Sequence, residues 1–336
     1  MDIRVERKII AMLKVIKDAR KPLGSTRIAE EIENYGINLS QRTVRYYLAV
    51  TDKLGLTKNL GRRGREITPK GEEELQSALV IDKVGLIASR MDTISYRMTF
   101  SPKTLKGDII LNISLIEKKD FYRSLEYLFP VMEKRLGMGD FIVFKGSEGE
   151  MGEYHVPPEK IAVGTICSVT INGILLSYGI PVVSRFGGLL EIRDGRPLRF
   201  TEIISYDGSS LDPLEIFIKG NMTSVNKVVE TGNGLIGASF REIPAISISE
   251  VNKIRKKLDK IGLGGILIIG KPGQNLLDIA VHEGRAGMVV IGGLNPLAAV
   301  EEIGIKTQNL AMGSLYEFKK LQHFQTVKTY KDVMVI

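Results

Sequence analysis

At 336 residues, with 43% hydrophobic and 26% charged side chains, the chain has the composition of an ordinary soluble protein and room for two or three domains. One cysteine excludes an internal disulfide framework, three scattered histidines offer no metal site of the usual spacing, and no apolar run approaches the roughly 18 residues of a membrane span. The formal charge of +8 is uneven: residues 1–78 hold 16 Lys and Arg against 11 Asp and Glu, so a basic first quarter suited to nucleic acid precedes a nearly neutral body. The charged start, Met1 to Arg7, is no secretion signal, and the expected location is cytoplasmic with no membrane partner.

Apolar residues at helical spacing predict a helix from about Arg4 to Ala19, broken by Lys21-Pro22-Leu23-Gly24. Ser25 caps a second helix that stops near Asn34-Tyr35-Gly36, and Ser40 caps a third that ends at Gly55. Val44, Leu48 and Leu54 are expected inside and Gln41, Arg42, Arg45 and Lys53 outside. Of Tyr46 and Tyr47, one is expected in the small core and the other within reach of a phosphate. Leu56 to Ile67 reads as two short strands around a basic glycine turn, and Thr68-Pro69 opens a last helix. Three helices, a basic hairpin and a closing helix make a winged helix-turn-helix over residues 1–78, in which the start of the third helix enters the major groove. Gln41, Arg42, Thr43, Arg45 and Tyr46 are the candidate DNA-contacting residues there, since Arg and Gln can make paired bonds to guanine and adenine edges. Arg62, Arg63 and Arg65 on the wing suit phosphates or a narrow minor groove. The alternative is a winged helix used for protein contacts, its arginines merely solvated.

Residues 76–82 read as the end of that helix running into a connector. Beyond it the chain repeats itself. Met98-Thr99 recurs as Met222-Thr223 and Arg135–Val143 as Lys260–Ile268, at offsets of 124 and 125, whereas Gly187-Gly188-Leu189 matches Gly292-Gly293-Leu294 at 105. The fold class expected is mixed α/β (α+β): the winged helix-turn-helix, then an internally duplicated α/β regulatory domain with halves at 82–213 and 214–320 and a tail at 321–336. The fall in offset predicts an insertion of 20 residues in the first half, in the loop from Gly146 to Pro158. Residues 163–179 read as a helix entered at Gly164-Thr165. There Thr165 and Ser168 would add hydroxyls to free N–H groups, either as a seat for a carboxylate or phosphate or as a plain cap. Gly187-Gly188 marks a tight bend or a close backbone approach. In the register set by the double glycines Arg185 falls on Val290, and a charge in an apolar strand calls for an anionic partner, either an internal carboxylate or a ligand. Arg193-Asp194-Gly195-Arg196 reads as a hairpin turn, with Arg199 on the returning strand.

Four stretches, Gly164-Thr-Ile-Cys-Ser168, Gly187 to Arg199, Asp207 to Leu214 and Gly284 to Leu294, together resemble the archaeal nitrogen-repressor family, NrpR. The resemblance covers nearly the whole chain, as a winged helix followed by one regulatory domain. It implies a homodimeric repressor on an inverted-repeat operator in double-stranded DNA upstream of nitrogen-assimilation genes. It also implies release from DNA by 2-oxoglutarate, with no other cofactor. A second regulatory-domain subunit or the transcription machinery is left open as a further partner. Carried onto that ligand, Thr165, Ser168, Arg185, Gly187, Gly188 and Arg199 form the candidate effector set. The competing readings are a small-molecule enzyme with an appended winged helix and a protein-interaction scaffold. Against catalysis stand the lack of paired carboxylates, of a histidine close to Cys167 in sequence and of a phosphate-loop or dinucleotide fingerprint.

Overall fold

The computed structural model describes residues 3–19, 21–33, 37, 39–72, 74–75 and 86–329, and the chain divides into two units, 1–85 and 86–336. The connector expected over 76–82 lies outside the described residues, as does the tail from 330 onward.

In the first unit α1 (Ile3–Asp18), α2 (Ser25–Ile32) and α3 (Gln41–Lys53) enclose one apolar core in which Met12, Leu13, Ile28, Ile32, Val44, Leu48 and Leu75 are wholly buried. The wing is an antiparallel ribbon of β1 (Thr57–Asn59) and β2 (Arg65–Ile67), with Asn59 opposite Arg65. Thr68 caps the helix that begins at Pro69, its Oγ1 accepting from the Gly71 N–H at 3.0 Å. Two expectations change. Leu54 is exposed, because the chain turns at Gly55 (φ 75°) and Leu56 takes the inward place. Gly24, not Ser25, is the N-cap of α2, which leaves the Ser25 hydroxyl to accept from Arg45 Nε at 3.2 Å.

The second unit runs, in order, through α4 (Ile87–Arg97), β3 (Asp108–Glu117), α5 (Phe121–Glu133), β4 (Phe141–Lys145), the small hairpin β5 (Glu150–Met151) and β6 (Tyr154–His155), and β7 (Lys160–Ile166). It continues with α6 (Thr170–Ser177), β8 (Val183–Arg193), β9 (Arg196–Ser205), α7 (Pro213–Lys219), α8 (Val225–Thr231), β10 (Gly234–Pro244), α9 (Ile248–Lys260) and β11 (Ile266–Ile269). It closes with β12 (Arg285–Ile291), α10 (Asn295–Glu302), β13 (Thr307–Glu317), β14 (Gln322–His323) and α11 (Phe324–Thr329). Two antiparallel sheets result, ordered β13-β3-β7-β4-β14 and β11-β12-β10-β8-β9. Each half is thus a βαββαβ unit. The last strand is exchanged: β13 of the second half closes the first sheet, and β8 of the first half closes the second. The exchange merges residues of both halves into one apolar core that includes Ile109, Leu111, Leu189, Phe240 and Val289.

The duplication is real and keeps a nearly constant period, 125 residues between β7 and β12 and 127 between β3 and β10, where Leu111 and Ala238 hold the same place. Thr170 and Asn295 open equivalent helices 125 residues apart, and Lys160 and Arg285 open equivalent strands at the same offset. The loops after β4 and β11 cover 146–159 and 270–284, so the expected insertion is absent. The error lay in matching the double glycines. Gly292-Gly293 forms the turn between β12 and α10, whereas Gly187-Gly188 lies inside β8, whose counterpart is β13. Two recurrent Gly-x-Gly stretches do correspond, and they meet each other: the Asp140 N–H donates to Gly262 O at 2.8 Å, and a Cβ on Gly139 (φ 132°) would stand 2.5 Å from that same oxygen. The expected helix entry at Gly164-Thr165 is replaced by strand: Val163, Thr165 and Ile166 are β-branched and buried in β7 between β3 and β4. The start of the tail packs as well, with Gln322 opposite Ile142 of β4.

Candidate nucleic-acid and effector sites

The first turn of α3 is fixed by Ser40, whose hydroxyl accepts from the Thr43 N–H at 3.2 Å and lies 2.8 Å from Thr43 Oγ1. Val44, Tyr47 and Leu48 anchor the inner face, so Gln41, Arg42, Arg45 and Tyr46 stand outward. Gln41 donates to Thr26 Oγ1 and Arg45 to Ser25, which ties the start of α3 to α2. Arg42 has no protein partner among the described residues. Of the tyrosine pair, Tyr47 packs in the core and Tyr46 is 66% exposed. On the wing, Arg62 and Arg63 are exposed in a short turn after Gly61, a glycine at φ 65°. Arg65 departs from expectation: its Nε pairs with Asp52 Oδ2 at 2.9 Å, and Asp52 also accepts from Thr57, so Arg65 braces the wing against α3 instead of facing outward.

In the second unit the six effector candidates do not form one site. Thr165 is buried in β7 and donates to Gly293 O at 3.0 Å. Arg185 has the internal carboxylate that a charge in this strand calls for: its Nη1 pairs with Glu242, which is fully buried and also bonds His282 Nδ1 at 2.8 Å. Gly187 and Gly188 are not a bend. They are ladder residues whose missing side chains permit close packing, since a Cβ would come 2.8 Å from Pro213 Cβ at Gly187 and 2.5 Å from Glu202 O at Gly188. The turn itself lies at Asp194 (φ 51°) and Gly195 (φ 71°), as the Asp-Gly pair predicts. Arg199 is on the exposed edge strand β9, paired with Glu191 at 2.8 Å. Together with Arg193 it holds the Glu191 carboxyl below its ordinary range.

Ser168 leads to a residue that sequence reading missed. Arg241 of β10 is fully buried, and its guanidinium donates to Ser168 O (2.9 Å), Ser168 Oγ (2.9 Å), Asn172 Oδ1 and Ser239 Oγ (3.1 Å). Asn172 in turn donates to Ser184 Oγ at 3.1 Å. No ion pair reaches Arg241 among the described residues. Burial pulls the Arg241 pKa down and pushes that of Asp212 up, so Asp212, which interacts with Arg241 electrostatically, is discouraged from supplying the missing negative charge. Burial also pushes the neighbouring Cys167 thiol up to about 12, leaving it an inert core thiol. The signal was present in Ser239-Phe240-Arg241-Glu242-Ile243, two charges in an apolar run. Carrying the repeat through to β10, where Ala238 stands 127 residues beyond its counterpart Leu111, would have set Arg241 on Ser114 and exposed it as particular to one half.

Among the described residues no helix is long and apolar enough to cross a membrane, and no group of three acidic, histidine or cysteine side chains could hold a metal. A family model described as NrpR regulatory domains NRD1 and 2 matches residues 84–323, and one described as the ribonuclease R winged-helix domain matches residues 10–75. The global nitrogen regulator NrpRI of Methanosarcina mazei is 37% identical over 323 residues, covering 96% of this chain and 99% of its own. Global nitrogen regulators NrpR of Methanococcus maripaludis and Methanocaldococcus jannaschii are 32% and 30% identical over 93% and 98% of this chain. The chain spans only 54% and 57% of their lengths. The crystal structure of a nitrogen repressor-like protein from Methanococcus jannaschii superposes with a TM-score of 0.61 at 31% identity, covering 71% of this chain and 99% of that one. With a regulatory module over most of its length and a winged helix before it, the chain belongs to the NrpR family.

Proposed function

We propose that the protein represses nitrogen-assimilation genes by binding an inverted-repeat operator as a homodimer, and that 2-oxoglutarate releases it. The observation that carries the DNA-binding part is the start of α3, where a capped first turn presents Arg42 outward beside Gln41 and Arg45. Arg62 and Arg63 add phosphate contacts from the wing. Regulation is favoured over catalysis because the relatives named above are regulators.

For the effector, support comes from Arg241, a buried cation with no ion pair among the described residues, an arrangement that costs several kcal/mol unless an anion completes it. Ser168 therefore stays in the effector set and Arg241, Asn172 and Ser239 join it, while Arg185 and Arg199 are satisfied by Glu242 and Glu191. Since Arg241 is closed off, a dicarboxylate reaches it only in a state where the start of α6 has moved away from β10, and its binding shifts the protein toward that state. Titration of operator DNA at several salt concentrations tests the reading. A specific reader loses affinity steeply with salt, and Ser168→Ala should leave that affinity intact while raising the 2-oxoglutarate needed for release. Salt-independent binding, or unaltered release by the variant, contradicts it.

A further inference from the structure

We infer that a lysine-rimmed cleft beside the start of β13 binds a small anion carrying two or more negative charges, at a place separate from Arg241. The cleft has a volume of about 470 Å³ and is lined by Lys119, Lys160, Lys219 and Lys306 together with Glu117 and Asp120. Lys160 is neutralised by Glu117 at 3.0 Å and Lys219 by Glu301 at 2.6 Å, whereas Lys119 and Lys306 make no ion pair among the described residues. Asp120 is the one lining carboxylate left over, so the cleft keeps a positive balance.

A second observation lies deeper on the same two strands. Among the described residues, Ser114 Oγ and both ends of the Asn309 amide are buried without a hydrogen-bond partner, and the two residues are cross-strand neighbours. Asn309 is two residues along β13 from Thr307, which lines the cleft, and so projects from the same face of the strand. Buried polar groups of this kind are ordinarily paired.

The duplication shows what is missing here. Leu111 pairs with Ile166 as Ala238 pairs with Ile291, so Ser114 occupies the place that Arg241 holds in the other sheet. There the cross-strand pair Arg241–Ser184 is fully engaged by Ser168 and Asn172. The counterparts of those two, 125 residues on, are Gly293 and Leu297, which have no polar side chain to offer. One half therefore supplies its own cation inside, and the other leaves a serine hydroxyl and an amide facing an unfilled role, with lysines nearby. A hydroxyl, an amide N–H₂ and ammonium groups are donors suited to phosphoryl or carboxylate oxygens. Phosphate esters and polycarboxylates share that chemistry.

Calorimetric titration of the full chain with inorganic phosphate and, separately, with citrate tests this, with chloride at matched ionic strength as the control. Saturable binding of either probe is expected, and the stronger probe identifies the anion class. Replacing Lys119 and Lys306 together by alanine should weaken it at least about tenfold, the effect of losing charged hydrogen bonds. Asn309→Leu should weaken it further, with circular dichroism reporting the fold, and Ser168→Ala should leave it unchanged. Because Ser168→Ala reports the effector site and the lysine pair reports this one, the two readings fail separately. A response equal to that of chloride, full binding by the double lysine variant, or loss on Ser168→Ala would overturn the inference.

Discussion

At the scale of single residues, the account rests on which charged groups are spoken for. Among the described residues Arg42 has no partner, whereas Arg65 is held by Asp52. Arg42→Ala is therefore expected to lower discrimination between operator and random DNA by about 1–3 kcal/mol, while Arg63→Ala weakens both alike and reduces the salt slope. Competition binding against random DNA reads the difference; an unchanged ratio for Arg42→Ala places the recognition surface elsewhere. Asp212 gives a stability test. It caps α7 by accepting from the Leu214 N–H at 2.9 Å, and burial raises its folded pKa above the ordinary value of 3.8. A carboxyl whose pKa rises on folding favours the fold at acid pH and loses that contribution as pH climbs through the raised value. Asp212→Asn keeps a capping oxygen and has no charge to desolvate, so its stability relative to the parent should increase from pH 4 to neutral in urea titrations. A constant difference across that range contradicts the burial of a raised carboxyl. The sequence made Arg185 conspicuous because it breaks an apolar run, and it predicted an anionic partner without naming Glu242. Arg241 escaped notice because its neighbours Ser239 and Glu242 make the stretch look like half-exposed strand, and only the tertiary packing of Ser168 and Asn172 makes it an interior cation.

Among elements, the Ser40 cap and the Asp194-Gly195 turn were legible and the strand–helix boundaries were not. Ser40 was readable as the N-cap of α3, and it is one. Ser40→Ala should cost about 1 kcal/mol of stability in the winged helix and loosen the presentation of Arg42. A denaturation midpoint equal to the parent's would show that the cap contributes nothing. The apolar run at 160–177 could not be divided by period alone. β7 and α6 are both buried on most sides, so neither shows alternation or a polar face. The double glycine misled for a related reason, since glycine answers equally to a turn and to close packing, and both uses occur at Gly292-Gly293 and Gly187-Gly188. Gly188→Val, which sets a side chain against Glu202 O and Phe200, should destabilise the β8–β9 hairpin by about 1–3 kcal/mol in thermal unfolding. A neutral result would mean the approach there is not tight.

For the whole molecule, duplication was visible in the sequence but the exchange of strands was not. Offsets near 125 follow from a repeated unit whichever sheet its last strand joins, and only pairing partners reveal that β8 and β13 have traded places. The consequence is functional. Each sheet contains a strand from the other half, so a ligand that separates α6 from β10 disturbs contacts between halves as well as within one. On the proposed function, that disturbance is how an effector bound in the second unit would act on the rest of the chain, by favouring a state in which these buried polar groups are satisfied differently. The central claim, a DNA-bound repressor released by 2-oxoglutarate, is tested most directly by footprinting the full-length protein on DNA upstream of its own gene and of nitrogen-assimilation genes, with and without 2-oxoglutarate. The account predicts protection over two inverted half-sites that disappears as 2-oxoglutarate is added. Absence of protection, or protection that 2-oxoglutarate leaves untouched, contradicts it.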